Sequence, residues 1–411
     1  MKKNKPTSNN LMFCLFASTE DIDFVIKIYQ NVIKKFLKKY GQFTVINFVK
    51  NKKKYTDSKY LNFKNSGFKI YEIDKKEKFL RLISNKKVFG IDAVGKKLQY
   101  FKERIMLNKS NIHLIYIMNI GFVSNETPFS NQNFSTKNKL LSIKKFLDKF
   151  FFRILILINI FPKTYFYFES RKQIVNKFNN SIIRKIANRF SFLTFLLNYK
   201  KIILINCEAF ETFKNYKINP KKNSIIFLDG NYNHKDLLIR EGKNLIKNQK
   251  KYLSSLKNYL KLIEKVYKKK VEIALHPSSN LKIYKKLFPD FKISKGYTNY
   301  KIYKSSIVIF HESSAVIDAI ISNKKIISFQ TKFLGEYLFN RTNYYKRNLQ
   351  LPSINIDEVK DLETSNLSII KKKLKFKNNY LKKYVNDNLI ADGQKRPSDK
   401  IFKYISNFIS N

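Results

Sequence analysis

Short apolar runs alternate with amphipathic helical patterns through the second half of the chain, and no other feature limits the fold as strongly. Four runs have the length and the β-branched or aromatic content of buried strands: Ile225–Leu228, Val271–Leu275, Ile307–Phe310 and Ile326–Phe329. Helical patterns separate these runs. The order β-α-β-α-β-α-β predicts a doubly wound α/β domain around a parallel sheet.

The clearest helix lies between the first two of these strands. Its apolar residues recur at the helical period: Tyr252, Leu253, Leu256, Tyr259, Leu260, Ile263, Val266 and Tyr267. This spacing predicts a long helix with one face packed on the sheet. Shorter helices are predicted around Leu281–Phe288 and over Ala315–Ile321.

The first half shows a similar alternation. Helical spacing over Ile22–Tyr40 places these apolar residues on one face: Val25, Ile26, Tyr29, Val32, Ile33 and Phe36. Strands are predicted at Leu11–Ala17, Thr44–Val49, Ile112–Met118, Thr164–Phe168 and Ile202–Ile205. We interpret Leu11–Ala17 as a buried strand and not as an export signal, because the run is short and polar residues follow it.

A length of 411 residues exceeds one small domain. The polar stretch Pro220–Asn223 opens with proline and is a natural boundary. We therefore predict Rossmann-like domains over 1–219 and 220–350. Residues 351–411 form a predicted tail that packs back on them, with helical patterns over Leu367–Val385 and Pro397–Ile409.

The most apolar segment is Phe150–Phe168, and it is therefore the candidate for a membrane-spanning helix. It contains Arg153, Asn159, Pro162 and Lys163, and charges or a proline in mid-segment argue against a spanning helix. We expect a core helix followed by a strand. The functional alternative is a segment that lies on a membrane surface.

The charge of the chain is strongly positive, with 82 Lys and Arg against 30 Asp and Glu and a net charge of +52. Only ten of the basic residues are arginine, the bidentate ligand that nucleic-acid readers favour, and the lysines are spread along the chain. Abundant Lys, Asn, Ile and Phe without Trp is typical of A/T-rich coding. We therefore predict no specific nucleic-acid partner, while an anionic membrane surface remains an expected one.

Cysteine and histidine are scarce, with 2 Cys and 4 His in the chain. This argues against a disulfide scaffold and against a Cys/His zinc site. With 44% hydrophobic residues, the chain can support a real core. We expect a globular protein of the cytoplasm, held peripherally at the inner face of the cytoplasmic membrane.

Polar groups follow three predicted strands of the second half. They are Asp229-Gly230-Asn231 with His234, then His276-Pro277-Ser278-Ser279, and then His311-Glu312-Ser313-Ser314. Open parallel sheets bind ligands outside the carboxyl ends of their strands. The serine pair before a helix can cap that helix or bind a phosphate. A histidine fixed before proline can donate to a phosphate oxygen or act as a base, and we favour phosphate binding.

The span from about Asn206 to Thr331 resembles the nucleotide-binding half of GT-B glycosyltransferases of bacterial capsule and lipooligosaccharide synthesis, closest to the sialyltransferase-like kind. The resemblance is carried by three groups: Ile225–Asn231 with His234, Ala274-Leu275-His276-Pro277, and His311-Glu312-Ser313-Ser314. The segment Gly296-Tyr297-Thr298-Asn299-Tyr300, before the last group, also matches. The resemblance covers about a third of the chain.

The resemblance implies an α/β GT-B fold, in which the parallel sheets of two Rossmann-like domains face each other across a cleft, with a helical C-terminal tail. It implies that His276, Ser313 and Ser314 contact the phosphate and sugar of a CMP-linked donor. Other implied donor-binding residues are Pro277, Ser278, Gly296, Thr298, His311 and Glu312, with Gly230, Asn231 and His234 as further loop candidates.

The general base of that family is a carboxylate in an acidic motif of the N-terminal domain, and this sequence has no clean copy of it. Glu169, followed by serine, and Asp229, which opens the second domain, are the candidates. Each can equally be a structural loop residue.

The predicted activity is an inverting, metal-independent glycosyl transfer from a nucleotide-sugar to a saccharide or lipid-linked saccharide acceptor of surface polysaccharide, with no cofactor. Sialic acid or a related acidic sugar is the expected cargo. The alternatives are a CDP-glycerol-type polyol-phosphate transferase, a basic nucleic-acid-binding protein and a non-catalytic scaffold.

Overall fold

The computed structural model describes residues 10–19, 22–48, 67–94, 98–118, 147–148, 150–181, 199–216, 224–230, 243–357 and 382–410. These residues divide into two compact units. The first takes the described residues up to 208 together with 390–410, and the second takes those from 209 to 389. The C-terminal residues therefore contribute to both units.

The first unit is built on a parallel sheet of seven described strands in the order β3-β2-β1-β4-β5-β6-β7. Helices connect several of them, as parallel strands require. The strands are β1 (Leu11–Ala17), β2 (Phe43–Asn47), β3 (Phe68–Glu72), β4 (Lys87–Asp92), β5 (Ile112–Met118), β6 (Thr164–Glu169) and β7 (Tyr199–Leu204). Its helices are α1 (Ile22–Tyr40), α2 (Lys76–Ile83), α3 (Phe101–Leu107), α4 (150–157) and α5 (Lys172–Asn179). Helix α6 (Glu208–Asn215) follows β7 and, apart from Glu208, belongs to the second unit.

The second unit is built on a parallel sheet of six described strands in the order β10-β9-β8-β11-β12-β13. The strands are β8 (Ile225–Leu228), β9 (Val271–Leu275), β10 (Lys292–Lys295), β11 (Ile307–Phe310), β12 (Lys325–Gln330) and β13 (Ser353–Asn355). The helices between them are α7 (Lys243–Tyr267), α8 (Leu281–Leu287), α9 (Thr298–Lys304), α10 (Val316–Ile321) and α11 (Glu336–Leu349). A last helix, α12 (Pro397–Ser410), belongs to the first unit.

Burial follows the predicted periodicity. β1 is buried at every position, and the predicted faces of α1 and α7 all belong to the two largest apolar clusters. α12 completes the first core, where Ile401 and Ile405 are buried and the ring of Phe402 lies 5.2 Å from that of Phe36. Burial of such apolar surface provides the main driving force for each core.

Most of the predicted strands and helices are confirmed, some with ends shifted by a residue or more. The sequence analysis missed β3, β4, β10 and β13. Of the two predicted tail helices, Pro397–Ile409 is confirmed as α12, and most of Leu367–Val385 lies outside the described residues.

Segment 150–168 forms helix α4 and most of strand β6, as predicted. The expectation of a core helix is only half right, because Phe152 is buried while Phe150 and Phe151 are about half exposed. Among the described residues, no helix combines the length and apolarity needed to cross a bilayer.

Candidate nucleotide-binding edge of the second sheet

The order in which successive strands are added to the second sheet reverses between the parallel neighbours β8 and β11. β9 and β10 lie on one side of β8, whereas β11, β12 and β13 lie on the other. Such a switch point leaves a crevice at the carboxyl ends of the two strands, where open parallel sheets bind their ligands. Gly230 follows β8 there, and a Cβ added to it would meet the carbonyl oxygen of Glu312 at 3.0 Å. The absence of a side chain on Gly230 therefore lets the two loops approach closely.

The loop after β9 lies next to this crevice, because β9 pairs with β8 in parallel register. In this loop the backbone N–H of Ser278 donates to Nδ1 of His276 over 3.2 Å, and the Ser278 hydroxyl lies 2.7 Å from the same nitrogen. A nitrogen that accepts an N–H bond is unprotonated, so the neutral ring carries its proton on Nε2. The local fold thus selects the tautomer in which Nε2 donates.

Asp229, directly after β8, holds the His276 loop in place through hydrogen bonds to residues that follow His276 in the chain. Its carboxylate is buried and accepts 2.9 Å hydrogen bonds from the hydroxyls of Ser279 and Tyr284. Lys295 adds a 2.8 Å bond to the carbonyl oxygen of Ser279. Both carboxylate oxygens of Asp229 accept hydrogen bonds from the protein. Asp229 is therefore suited to holding the loop in place and poorly suited to taking a proton from the hydroxyl of an acceptor substrate.

The loop after β11 carries the serine pair on the other side of the crevice. Ser313 is half-buried, and its hydroxyl accepts a 3.3 Å bond from the N–H of Ala315, while Ser314 is exposed. α10 is a single short helix of 6 residues, so its dipole is small and the hydroxyls must carry any anion binding. β9 and β11 both flank β8, so the loops of His276 and Ser313 lie at one edge, separated by about 10 Å of sheet.

His311, in contrast, lies inside the core. The ring is 2% exposed and Nδ1 donates to the carbonyl oxygen of Phe329 over 2.9 Å. Burial lowers its pKa to about 4, although the backbone bond to Phe329 opposes this shift. Aromatic rings surround it, among them Phe227 and Tyr252, each with a centroid at 5.6 Å. We therefore leave His311 out of the proposed site, whereas Glu312 beside it is half-buried at the edge.

The loop after β10 exposes an aromatic ring that the sequence analysis did not single out as a site residue. Tyr297 is 80% exposed and has a φ of 51°, in the left-handed region that costs a non-glycine residue about 1 kcal/mol or more. Gly296 before it has a φ of 82°, and Thr298 after it is half-buried. A strained, exposed aromatic residue at the ligand-binding edge of a sheet is a candidate contact for a flat ligand group.

Asn231 and His234, the remaining loop candidates, lie outside the described residues.

Glu169 ends β6 in the first unit and is fully buried. Its carboxylate accepts from the Tyr167 hydroxyl at 3.0 Å, from the Arg171 backbone at 3.1 Å, and from two guanidinium nitrogens of Arg171 at 2.9 Å. Burial acts to lower the pKa of the Arg171 guanidinium. The hydrogen bond to Glu169 and the negative charge of that carboxylate have the larger combined effect, so the pKa is raised. An ion pair this complete is typical of a structural role.

A second buried acid lies at the switch point of the first sheet, between β1 and β4, and the sequence analysis missed it. Asp92 ends β4 and pairs with Arg104 through bonds of 2.8 and 3.1 Å. The pKa of Tyr29 is raised, chiefly by burial and then by the charges of Tyr116, Asp92 and Glu208. An acid directly after a strand is the sequence signal, but β4 itself was not predicted.

Neither a protein-family model nor a curated protein sequence matches this chain. Solved structures match over nearly its whole length. UGT89C1 of Arabidopsis thaliana, solved with quercetin, has a TM-score of 0.50 and 10% identity over 97% of this chain and 99% of its own. UDP-GlcNAc 2-epimerase of Methanocaldococcus jannaschii has a TM-score of 0.49 and 11% identity over 96% of this chain and 99% of its own. The wall teichoic acid polymerase TagF has a TM-score of 0.46 and 11% identity over 98% of this chain and 91% of its own.

The fold is GT-B-like. This confirms the predicted α/β class: each unit is built on one Rossmann-like parallel sheet, and the C-terminal helix α12 belongs to the first unit.

Within the second unit, the predicted site residues fall into two groups. His276, Pro277, Ser278, Gly230, Gly296, Thr298, Glu312, Ser313 and Ser314 follow strands at one edge of the sheet. Asp229 and His311 follow strands at the same edge, but their side chains point into the protein. The predicted residue of the first unit, Glu169, is likewise buried.

Proposed function

We propose that this chain is a glycosyltransferase that uses a nucleotide-sugar donor bound at the carboxyl edge of the second sheet. The observation that carries the proposal is the placement of the donating nitrogen of His276 and the hydroxyls of Ser313 and Ser314 on the two sides of one switch point. A phosphate group between these loops would meet donors from both sides. The edge also offers Glu312, whose carboxylate suits sugar hydroxyls.

The proposed reaction is a direct displacement. The acceptor hydroxyl oxygen attacks the anomeric carbon, the bond from that carbon to the phosphate oxygen breaks, and the nucleotide leaves with the bonding electrons. Charge grows on the departing phosphate oxygen, where Nε2–H of His276 and the serine hydroxyls stabilise it. The configuration at the anomeric carbon inverts.

The attacking hydroxyl releases its proton to a base in contact with it, either a carboxylate of the site or a water molecule that passes the proton to solvent. Glu169 and Asp229 were the candidates, but Glu169 is fully buried against Arg171 and both oxygens of Asp229 accept hydroxyl bonds. We propose Asp229 as a positioning residue for the His276 loop. Glu169→Gln tests the other candidate together with urea unfolding, because the substitution also breaks the ion pair with Arg171, and only a loss of turnover at unchanged stability identifies a base.

The donor and acceptor follow from the resemblance of the His-Pro and Ser-Ser motifs. We propose a CMP-linked acidic sugar, of the sialic acid type, as donor and a surface saccharide or lipid-linked saccharide as acceptor, used in the cytoplasm at the inner membrane face. The fold is shared with a protein that has been solved with UDP, with UDP-L-rhamnose and with quercetin. A polyol-phosphate transfer from a CDP-linked donor is the alternative.

A thermal-shift series with CMP, UDP, GDP and CDP tests the proposal. A nucleotide that binds only the folded protein stabilises it by about 3 kcal/mol at a hundred times its Kd. We expect one nucleotide to raise the Tm, and His276→Ala to abolish that rise while leaving the Tm without nucleotide unchanged. Ile283→Ser, an exposed substitution in the same unit, is the control.

A shift in the wild type that survives in His276→Ala would remove His276 from the site. A wild type that none of the four nucleotides stabilises would refute a nucleotide site at this edge. Turnover of CMP-linked against CDP-linked donors then separates sugar transfer from polyol-phosphate transfer.

A further inference from the structure

The first unit presents an apolar surface that its core leaves exposed. Eight of the ten large hydrophobic side chains that are most exposed in the described chain lie in two short stretches: Phe101, Ile105, Leu147, Phe150, Phe151, Leu157, Ile158 and Ile160. Scattered exposed apolar residues are normal in proteins, but a contiguous group marks an interaction site. We call this group the α3–α4 patch.

The exposed stripe runs along one side of α4, and Leu147 before the helix and Ile158 after it continue the same spacing. Leu147, Phe150, Phe151, Leu157 and Ile158 fall at i, i+3, i+4, i+10 and i+11, which places them on one side of a helix. Phe151 is 49% exposed and Ile158 is 58% exposed. The helix therefore exposes a regularly spaced apolar stripe to solvent, where a surface helix usually carries polar residues.

The opposite face of α4 is fixed to the protein. Phe152 is buried, its ring centroid lies 5.1 Å from that of Phe161, and the Arg104 guanidinium lies 5.6 Å from the Phe152 ring. The Phe161 ring in turn lies 5.3 Å from that of Phe101 on α3. These contacts join the exposed residues of the two helices into one surface.

The turn after α4 is equally well held. The N–H groups of Ile160 and Phe161 both donate to the carbonyl oxygen of Leu155 over 2.9 Å, and Asn159 takes the left-handed φ of 64° that ends many helices. The side chain of Asn108 donates to the carbonyl oxygens of Asn159 and Ile160, at 2.6 and 3.1 Å. Ile158 and Ile160 are therefore presented to the outside by a fixed turn.

Cations are adjacent in sequence to the patch residues, together with one half-buried acid, Asp148. Lys102 on α3 and Arg153 on α4 are exposed, and Lys109 after α3 is half-buried, whereas Glu103 is buried. Aromatic and aliphatic side chains flanked by Lys and Arg are the composition of helices that lie in a membrane interface. The chain as a whole, at +52, is attracted to anionic lipid headgroups.

We infer that the α3–α4 patch docks on an anionic lipid bilayer, with Phe151 and Ile158 entering the interface and Lys102 and Arg153 meeting the headgroups. α4 is far too short to span a bilayer and would lie along its surface. This inference does not depend on the proposed glycosyl transfer, because it concerns a different surface and a different ligand.

Vesicle flotation tests it with the full chain. Phosphatidylglycerol mixed with phosphatidylcholine is the anionic probe, and pure phosphatidylcholine is the neutral one. We expect anionic vesicles to bind the wild type, and Phe151→Ser with Ile158→Ser to weaken that binding by about ten-fold or more. The matched control is Ile283→Ser, because Ile283 is 48% exposed on another helix and has Lys282, Lys285 and Lys286 nearby in sequence.

Insertion can be read directly because the chain has no tryptophan. Phe151→Trp then supplies the sole indole emission, which we expect to shift to the blue and to be quenched by brominated lipid in anionic vesicles. Ile283→Trp should change little. Since 151 and 283 are both exposed, neither variant is expected to alter folding, and circular dichroism checks this.

Two results would overturn the inference. Equal vesicle binding by the wild type and the doubly substituted protein would assign the binding to general surface charge. A wild type that self-associates through the patch, becoming monomeric in Phe151→Ser with Ile158→Ser while no vesicle binds either, would assign the patch to a second copy of the chain.

Discussion

Ser279 donates its hydroxyl to Oδ2 of Asp229 over 2.9 Å, and this bond joins the loops that follow two neighbouring strands. The backbone N–H of Ser279 also donates to the carbonyl oxygen of His276 over 2.9 Å, which closes a tight turn around Pro277. The position of the His276 ring is thus tied to a buried carboxylate on the next strand. Preorganised donors of this kind cost no reorganisation when charge develops on a ligand.

Removal of the Asp229 carboxylate should therefore damage both folding and binding. In Asp229→Ala the hydroxyls of Ser279 and Tyr284 lose their acceptor, and each unpaired buried group costs about 1–3 kcal/mol of unfolding free energy. We expect weaker nucleotide binding as well. Urea unfolding and calorimetric titration measure the two effects.

A double-mutant cycle with Ser279→Ala gives the control. If the two side chains act through their shared bond, the double variant should lose less stability than the sum of the single variants. Asp229→Asn separates the two roles that were considered for this residue. A loss of turnover with binding and stability intact would identify a general base and contradict the positioning role.

His276 should contribute to turnover through its proton on Nε2. His276→Ala removes the donor, and loss of one such group commonly lowers kcat by about 100- to 1000-fold. The unfolding free energy should change little, because the ring is only half-buried and its bonded partner Ser278 is exposed. Steady-state kinetics provides the measurement, with a sugar donor that carries the nucleotide found by the thermal-shift series.

Ser278→Ala tests the tautomer selection separately. Its backbone N–H still donates to Nδ1 of His276, so we expect a much smaller loss of kcat than in His276→Ala. Equal losses in both variants would show that the serine hydroxyl itself contacts the ligand.

The sequence analysis missed four of the described strands, and three of these four are edge strands of their sheets. β3, β10 and β13 are edge strands with mixed burial, so polar residues interrupt their apolar pattern. β4 is central and buried but contains Gly90. A Cβ at Gly90 would lie 2.0 Å from the Phe16 ring, so the residue that weakened the strand signal is the one that the neighbouring side chain requires.

The sequence was enough to predict that the candidate site lies at the carboxyl ends of the strands in the second sheet. Parallel strands place their carboxyl ends at the same end of the sheet, so the loops of His276 and Ser313 had to lie on the two sides of β8 there. Which side chains point outward was not predictable, because that depends on the turn after each strand. His311 turns into the aromatic core, whereas Tyr297 turns out through its left-handed backbone.

Tyr297 should bind the base of the nucleotide by stacking. Loss of an aromatic platform costs about 1–3 kcal/mol per base, so Tyr297→Asn should raise the Kd by about 5- to 150-fold. Tyr297→Phe keeps the ring and should bind normally. Asparagine tolerates the left-handed region better than tyrosine, so Tyr297→Asn should also be as stable as the wild type or more stable, by up to about 1 kcal/mol.

A stabilised Tyr297→Asn with unchanged affinity would show that the ring does not touch the base. Tyr297→Trp offers a second measurement, because the chain has no other tryptophan. Stacking of the nucleotide on the indole should quench its emission, and Ile283→Trp in the same unit should report no change.

The stability of the second unit should respond to acid through two groups that act in opposite directions. Burial lowers the pKa of His311 from 6.5 to about 4, so between these values the unfolded chain binds more protons and stability falls as the pH falls. Burial raises the pKa of Asp318 from 3.8 to about 6, while the Tyr303 hydroxyl bond opposes that rise. The folded chain then binds more protons over that range, so Asp318 favours folding in acid.

Two conservative substitutions separate these contributions. His311→Asn can keep a donor toward the Phe329 carbonyl without titrating, so between neutral pH and about pH 4.5 it should lose less unfolding free energy than the wild type, by up to about 3 kcal/mol. Asp318→Asn keeps an acceptor for Tyr303 and should lose more than the wild type. Urea unfolding at both pH values measures the differences. A His311→Asn slope equal to that of the wild type would mean that the imidazole gains its proton without leaving the core.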